Sequence, residues 1–142
     1  MNERAERFSL TLGGPRDSRP RDARQWVIAR CAALGVECEG PSLPLVVSEL
    51  VTNACIHGGD PMSLHLEISG SRVRVEVEDS AADRPDVQSP TDRDPGGRGL
   101  LIVDSLSQVW GVEGTATGGK VVWAEVLVEK PGDETLQKIG QL

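Results

Sequence analysis

The chain has 142 residues, one domain's worth of polypeptide and enough to bury a sizeable core. With 38% hydrophobic and 26% charged residues it lies outside the disordered class, and no apolar run approaches the roughly 18 residues that a membrane span needs. Lys+Arg 15 against Asp+Glu 22 gives a net charge of −7, the wrong sign for coating a nucleic acid, and 3% aromatics provide no base-stacking platform.

The first strand is predicted at residues 6 to 12, where Phe8, Leu10 and Leu12 alternate with Arg7, Ser9 and Thr11 before Gly13-Gly14. From about Pro20, Ala23, Trp26, Val27, Cys31 and Leu34 form a helical stripe that stops at Gly35. Ser42 as N-cap and Pro44 in the first turn predict a second helix over Leu43 to His57, closed by Gly58-Gly59 as left-handed C-terminal residues. Met62, Leu64, Leu66 and Ile68, a turn at Gly70-Ser71, and Val73, Val75 and Val77 predict a hairpin over 62 to 79. Residues 80 to 97 are polar and rich in Pro and Gly, longer than a structural connection should be, and read as a lid or binding loop. A third helix is expected from Gly99 to about Val109 with Leu100, Val103, Leu106 and Val109/Trp110 on one side, then a closing strand over Val121 to Val128.

This order implies a single α/β (α+β) domain over residues 1–130, with a polar tail over 131–142. The expected fold is a two-layer sandwich: a mixed, mostly antiparallel sheet with the helices packed on one face. Residues 1 to 30 hold seven Arg and four acids, a basic start read as a solvated helix face and not as a nucleic-acid arm. Cys31, Cys38 and Cys55 show no CxxC spacing, so neither a disulfide framework nor a zinc site is indicated. The opening MNERAERF lacks the apolar segment of a secretory signal, and the expected location is the cytoplasm.

Three places can carry chemistry. Glu49, Asn53 and His57 recur every four residues and so form one polar stripe on the second helix, hemmed in by Leu45, Val46 and Ile56. A carboxylate and an amide among apolar neighbours cost stability unless something satisfies them. Asp79 ends a valine-rich strand, where a side chain can be delivered to a ligand crevice; a turn-initiating Asp is its plain alternative. Gly96-Gly97-Arg98-Gly99 runs into a helix, so backbone N–H groups can converge on an anion, and Arg98 adds a planar donor fork.

Together these residues resemble a known family. Glu49-Leu-Val-Thr-Asn53-Ala-Cys-Ile-His57 looks like the N box of the GHKL, or Bergerat-fold, ATPase superfamily; Val77-Glu-Asp79 sits where its first glycine box begins; Gly96-Gly-Arg-Gly-Leu100 matches its second. Within it the chain is most similar to the small bacterial anti-sigma factor serine kinases, particularly an Arg-rich branch with Trp110-Gly111, Gly119-Lys120 and Trp123 near the end. The resemblance implies ATP and Mg²⁺ as cofactors. Asn53 would coordinate Mg²⁺, Asp79 would accept the adenine amino proton, and Gly97, Arg98, Gly99 and Leu100 would border the nucleotide. Glu49 would be the general base that takes a serine proton during phosphoryl transfer.

The implied function is an anti-sigma factor type regulator with a sigma factor or an anti-anti-sigma (STAS-type) protein as partner, whose serine it phosphorylates. No nucleic acid or membrane is bound directly, and a homodimer stays open. Two features depart from the family pattern. The first glycine box reads Asp79-Ser-Ala-Ala-Asp83 where Asp-x-Gly-x-Gly is usual, and the Thr or Ser that often supports adenine from the last strand has no evident counterpart in Lys120-Val-Val-Trp123. Hence two alternatives: a catalytically inactive protein-binding module on the same fold, or a detached histidine-kinase ATPase domain.

Overall fold

The computed structural model describes residues 4–36, 42–82 and 95–128, with the side chains of 95–98 left out. Among these residues five strands form one sheet in the order β1-β2-β3-β5-β4, with β1 Glu6–Thr11, β2 Ser63–Ser69, β3 Arg72–Asp79, β4 Val109–Gly114 and β5 Lys120–Leu127. Every pairing is antiparallel, so the mostly antiparallel sheet is wholly so. Three helices, α1 Arg19–Ala33, α2 Ser42–His57 and α3 Pro95–Leu106, make the second layer.

Strand alternation decides which face the helices cover. Leu64, Leu66 and Ile68 of β2, Val73, Val75 and Val77 of β3, and Val122, Ala124 and Val126 of β5 are all buried, and the register sets Leu66 beside Val75 and Val75 beside Ala124. The other face stays wet, as an antiparallel sheet allows. There Arg74 lies 4.1 Å over the Trp123 ring and reaches Glu76 at 2.7 Å and Glu125 at 3.0 Å.

Of the α1 stripe, Ala23, Val27 and Cys31 are buried, at the spacing of a helical face. Trp26 packs its edge against Phe8 of β1, ring centroids 6.5 Å apart. Gly35, at φ 71, ends the helix as predicted. Helix α2 lies between α1 and α3 and also touches β3 and β5, which explains why Leu43, Val46, Val47, Leu50, Val51 and Ala54 bury more than one side of it. Leu45 and Ile56 are exposed, so of the three aliphatics flanking the polar stripe only Val46 is a core residue.

Three expectations need correction. Gly58 and Gly59 do not adopt left-handed backbone; among the described residues the positive-φ glycines are 14, 35, 70 and 118. They are small because they pass beside Asp79 and Ser80. The third helix begins at Pro95, four residues before the predicted Gly99, so the second glycine box forms its first turns and does not precede it. It also ends at Leu106, and Val109 and Trp110, predicted on its apolar side, open strand β4. The apolar spacing of 3 carried the helix reading past its end, although Val109-Trp-Gly-Val is better suited to a strand. Most of the predicted lid and the polar tail lie outside the described residues. Among the described residues no helix is long and apolar enough to cross a membrane.

Candidate functional site

The second helix delivers Asn53 into the interior at 1% exposure, with neither Oδ1 nor Nδ2 finding a partner among the described residues. Both halves of a side-chain amide left unpaired cost on the order of 1–3 kcal/mol each, so the position is expensive unless a ligand supplies the missing contacts. One turn earlier Glu49 is half-buried, and burial raises its carboxyl pKa above the ordinary value. Its neighbour is Gly99 of α3: a Cβ there would stand 2.6 Å from Glu49 Oε2, so any larger residue would have to turn the carboxylate aside. The packing of α2 on α3, with Leu100 and Val103 fully buried, holds that approach.

At the C-terminal end of α2 a second polar cluster is knit together. Asp79, the last residue of β3, is 2% exposed; its Oδ1 accepts from Ala81 N at 2.8 Å, Lys120 Nζ at 3.1 Å and Gly59 N at 3.3 Å. The turn after α2 is stitched to the strand end by Ser80 N to Gly59 O at 3.1 Å and Ser80 Oγ to Asp60 O at 2.7 Å. Asp60 itself is held by Arg19, whose Nη1 lies 2.7 Å from Oδ1, and this contact keeps the Asp60 carboxyl below its usual range. Lys120 is 1% exposed and also donates to Ala81 O at 3.3 Å. Gly119, just before it, packs against the Asp79 carbonyl with no room for a side chain.

The sequence-derived residues therefore fall as follows. Asn53 and Asp79 are both buried polar groups, set at α2 and at the strand beside its C-terminal end, and Glu49 meets Gly99 across the α2–α3 interface. Leu100 belongs to the core at 0% exposure, so only its backbone is left for a ligand. Gly97 lies within α3, and the Arg98 side chain falls outside the described residues. Lys120 is the residue that the sequence reading missed. Its signal is a cation opening a strand of apolar alternation, but its partner is fixed only by the register that pairs Asp79 with Lys120, 41 residues apart.

The comparisons agree with this architecture. The family model described as a histidine kinase-like ATPase domain matches residues 17–125, from the turn before α1 into β5. No curated protein matches the chain. An ATP-binding fold of this kind accounts for the open antiparallel sheet and the helices packed on it. The chain belongs to the histidine kinase-like ATPase domain family.

Proposed function

We propose that the protein is an ATP- and Mg²⁺-dependent protein serine kinase of the anti-sigma factor type, which binds a sigma factor or its antagonist and phosphorylates a serine of an anti-anti-sigma (STAS-type) partner. The observation that carries the reading is Asn53: a fully buried amide with both polar atoms unpartnered among the described residues, one turn from a half-buried carboxylate. An amide oxygen suits a hard cation that keeps few protein ligands, so Asn53 Oδ1 fits Mg²⁺, which when bound neutralises phosphate charge. Asp79 fits the base and the first turns of α3 fit the phosphates, because helix N-terminal N–H groups favour anions.

Glu49 is the catalytic residue. Its raised pKa brings a carboxylate nearer the working pH, as a general base requires. It accepts the serine proton while the serine oxygen bonds to the γ-phosphorus and the bond to the ADP oxygen breaks. The partner identity and the cytoplasmic setting rest on the anti-sigma kinase resemblance of the three boxes.

Transfer of labelled phosphate from ATP to a STAS-type protein tests the reading. Glu49→Gln keeps size and hydrogen bonding but removes basicity, so transfer falls about 10²- to 10⁴-fold while nucleotide binding survives. Transfer at the wild-type rate by Glu49→Gln would overturn the base assignment. Asn53→Ala impairs binding and transfer together. The binding-module alternative draws on Asp79-Ser-Ala, where Ala81 N is engaged by Asp79 Oδ1 in a segment that the usual pattern fills with glycine; it predicts ATP binding with no transfer. A detached histidine-kinase domain would instead give acid-labile label on histidine.

A further inference from the structure

The two oxygens of the Asp79 carboxylate are in unlike situations. Oδ1 accepts three donors, from Ala81 N, Lys120 Nζ and Gly59 N. Oδ2 is buried with no partner among the described residues and lies against Gly58, where a Cβ would come within 2.8 Å of it. An ionised carboxylate with both oxygens free can take two adjacent donors side by side; with one oxygen saturated it takes a single donor. Lys120 is fixed in this task, because it is fully buried and its ammonium is also tied to Ala81 O.

We propose that Lys120 is the specificity-determining residue of the nucleotide site: by holding Asp79 Oδ1 it leaves Oδ2 as one fixed acceptor, matched to a 6-amino purine and mismatched to a 6-oxo purine. This deepens the nucleotide-binding reading above and rests on it. The 6-amino group supplies the one donor that Oδ2 lacks. A 6-oxo purine presents an oxygen to that oxygen, and its N1–H cannot gain a second contact at Oδ1, where three donors already converge. Lys120 acts on the base through Asp79 and is a positioning residue.

The same geometry fixes how an amide would sit. In Asp79→Asn the three donors on Oδ1 require the amide oxygen in its place, which turns Nδ2 toward the position of Oδ2. The single acceptor becomes a donor, and base preference should invert.

Calorimetric titration of the full chain with ADP and with IDP, each with Mg²⁺, tests the proposal, with circular dichroism to verify folding. The wild type is expected to prefer ADP by about tenfold or more. Asp79→Asn should prefer IDP. Lys120→Met, which keeps length but removes the donor, should narrow the ADP preference at least about threefold, and Lys120→Gln repeats the measurement if Met does not fold. A wild-type ratio in the Lys120 variants, or an ADP preference kept by Asp79→Asn, overturns the assignment while leaving nucleotide binding intact. Wild type binding ADP and IDP equally does the same. Wild type binding neither nucleotide defeats the nucleotide reading itself.

Discussion

Along one helix the protein treats buried polar groups in two opposite ways. Beside the C-terminal end of α2, Asp79 and Lys120 are both almost wholly buried, yet they hold each other at 3.1 Å and draw in the backbone of Gly59 and Ala81. One turn back from that end, Asn53 is as deeply buried and its amide finds no hydrogen-bond partner among the described residues. The first cluster, Asp79 Oδ2 apart, is satisfied by the chain alone and so arrives pre-arranged; the second is an open valence that lowers stability until something binds. On the function proposed above, such a site fixes the base end in advance and leaves affinity for the metal and phosphates to be gained at the other.

The largest effect should come from breaking the satisfied end. Asp79→Ala leaves the Lys120 ammonium buried without a counter-charge, and removing one member of a buried pair typically costs about 3–5 kcal/mol. That is a large share of the roughly 5–15 kcal/mol that hold a domain together. Urea unfolding should show it. Asp79→Leu with Lys120→Met should recover most of the loss, since apolar replacement of a whole buried pair is often neutral. Nucleotide binding would stay lost in both, which separates stability from recognition.

At the unsatisfied end the sign reverses. Asn53→Leu replaces an unpartnered amide with a side chain of similar size, and relief of two unpaired polar atoms should stabilise by about 1–2 kcal/mol. Mg²⁺-dependent nucleotide binding should fall sharply at the same time. Destabilisation by more than about 1 kcal/mol would mean that Asn53 is a structural group, and the contrast between the two clusters would disappear.

How much of this was legible in the sequence follows from which contacts are local. The β2–β3 hairpin, α1 and α2 have periodicity, caps and turn residues within a few positions of one another, and their predicted bounds differ from the observed ones by only a few residues. Asn53 and Glu49 could be found because four-residue spacing on a helix sets them on one stripe. Strand β4 was not found, since Val109 and Trp110 continue the apolar spacing of α3 and its true partner, β5, lies beyond a turn. Gly58 was read as a helix stop, but its size serves a contact with Asp79 that only the packed structure reveals. Lys120 was hidden for the same reason: nothing near it in sequence tells of the carboxylate across the sheet.

A smaller test probes the seam between α2 and α3. Gly99→Ala should gain roughly 0.5–1 kcal/mol of helix propensity, because Gly99 lies inside α3. Its new Cβ, 2.6 Å from Glu49 Oε2, would push that carboxylate aside at about 0.5–1.5 kcal/mol of rotamer cost. Net stability should change little by thermal melting. Phosphoryl transfer should nonetheless drop by about tenfold or more, because a base displaced by an ångström is no longer positioned. Unchanged transfer would detach Glu49 from its role more gently than removing it does.

The smallest expected effect is the most diagnostic of Glu49's setting. Burial raises its pKa in the folded protein above the value of about 4.3 expected in the unfolded chain. Between those two values the folded state binds more protons than the unfolded state, so stability falls as pH rises through the window and levels off once both forms are ionised. Glutamine has no proton to lose. Glu49→Gln should therefore match the wild type below about pH 4 and become the more stable protein as pH rises, by a few degrees in Tm at most at neutral pH. Melting curves for both proteins from acid to neutral pH measure the opening of that gap. A gap that is independent of pH would show that the carboxyl titrates as it does in the unfolded chain. A wild type more stable than the variant at neutral pH would mean that the Glu49 carboxylate has a favourable partner in the folded protein, which would place it with the satisfied cluster of Asp79 and not with Asn53.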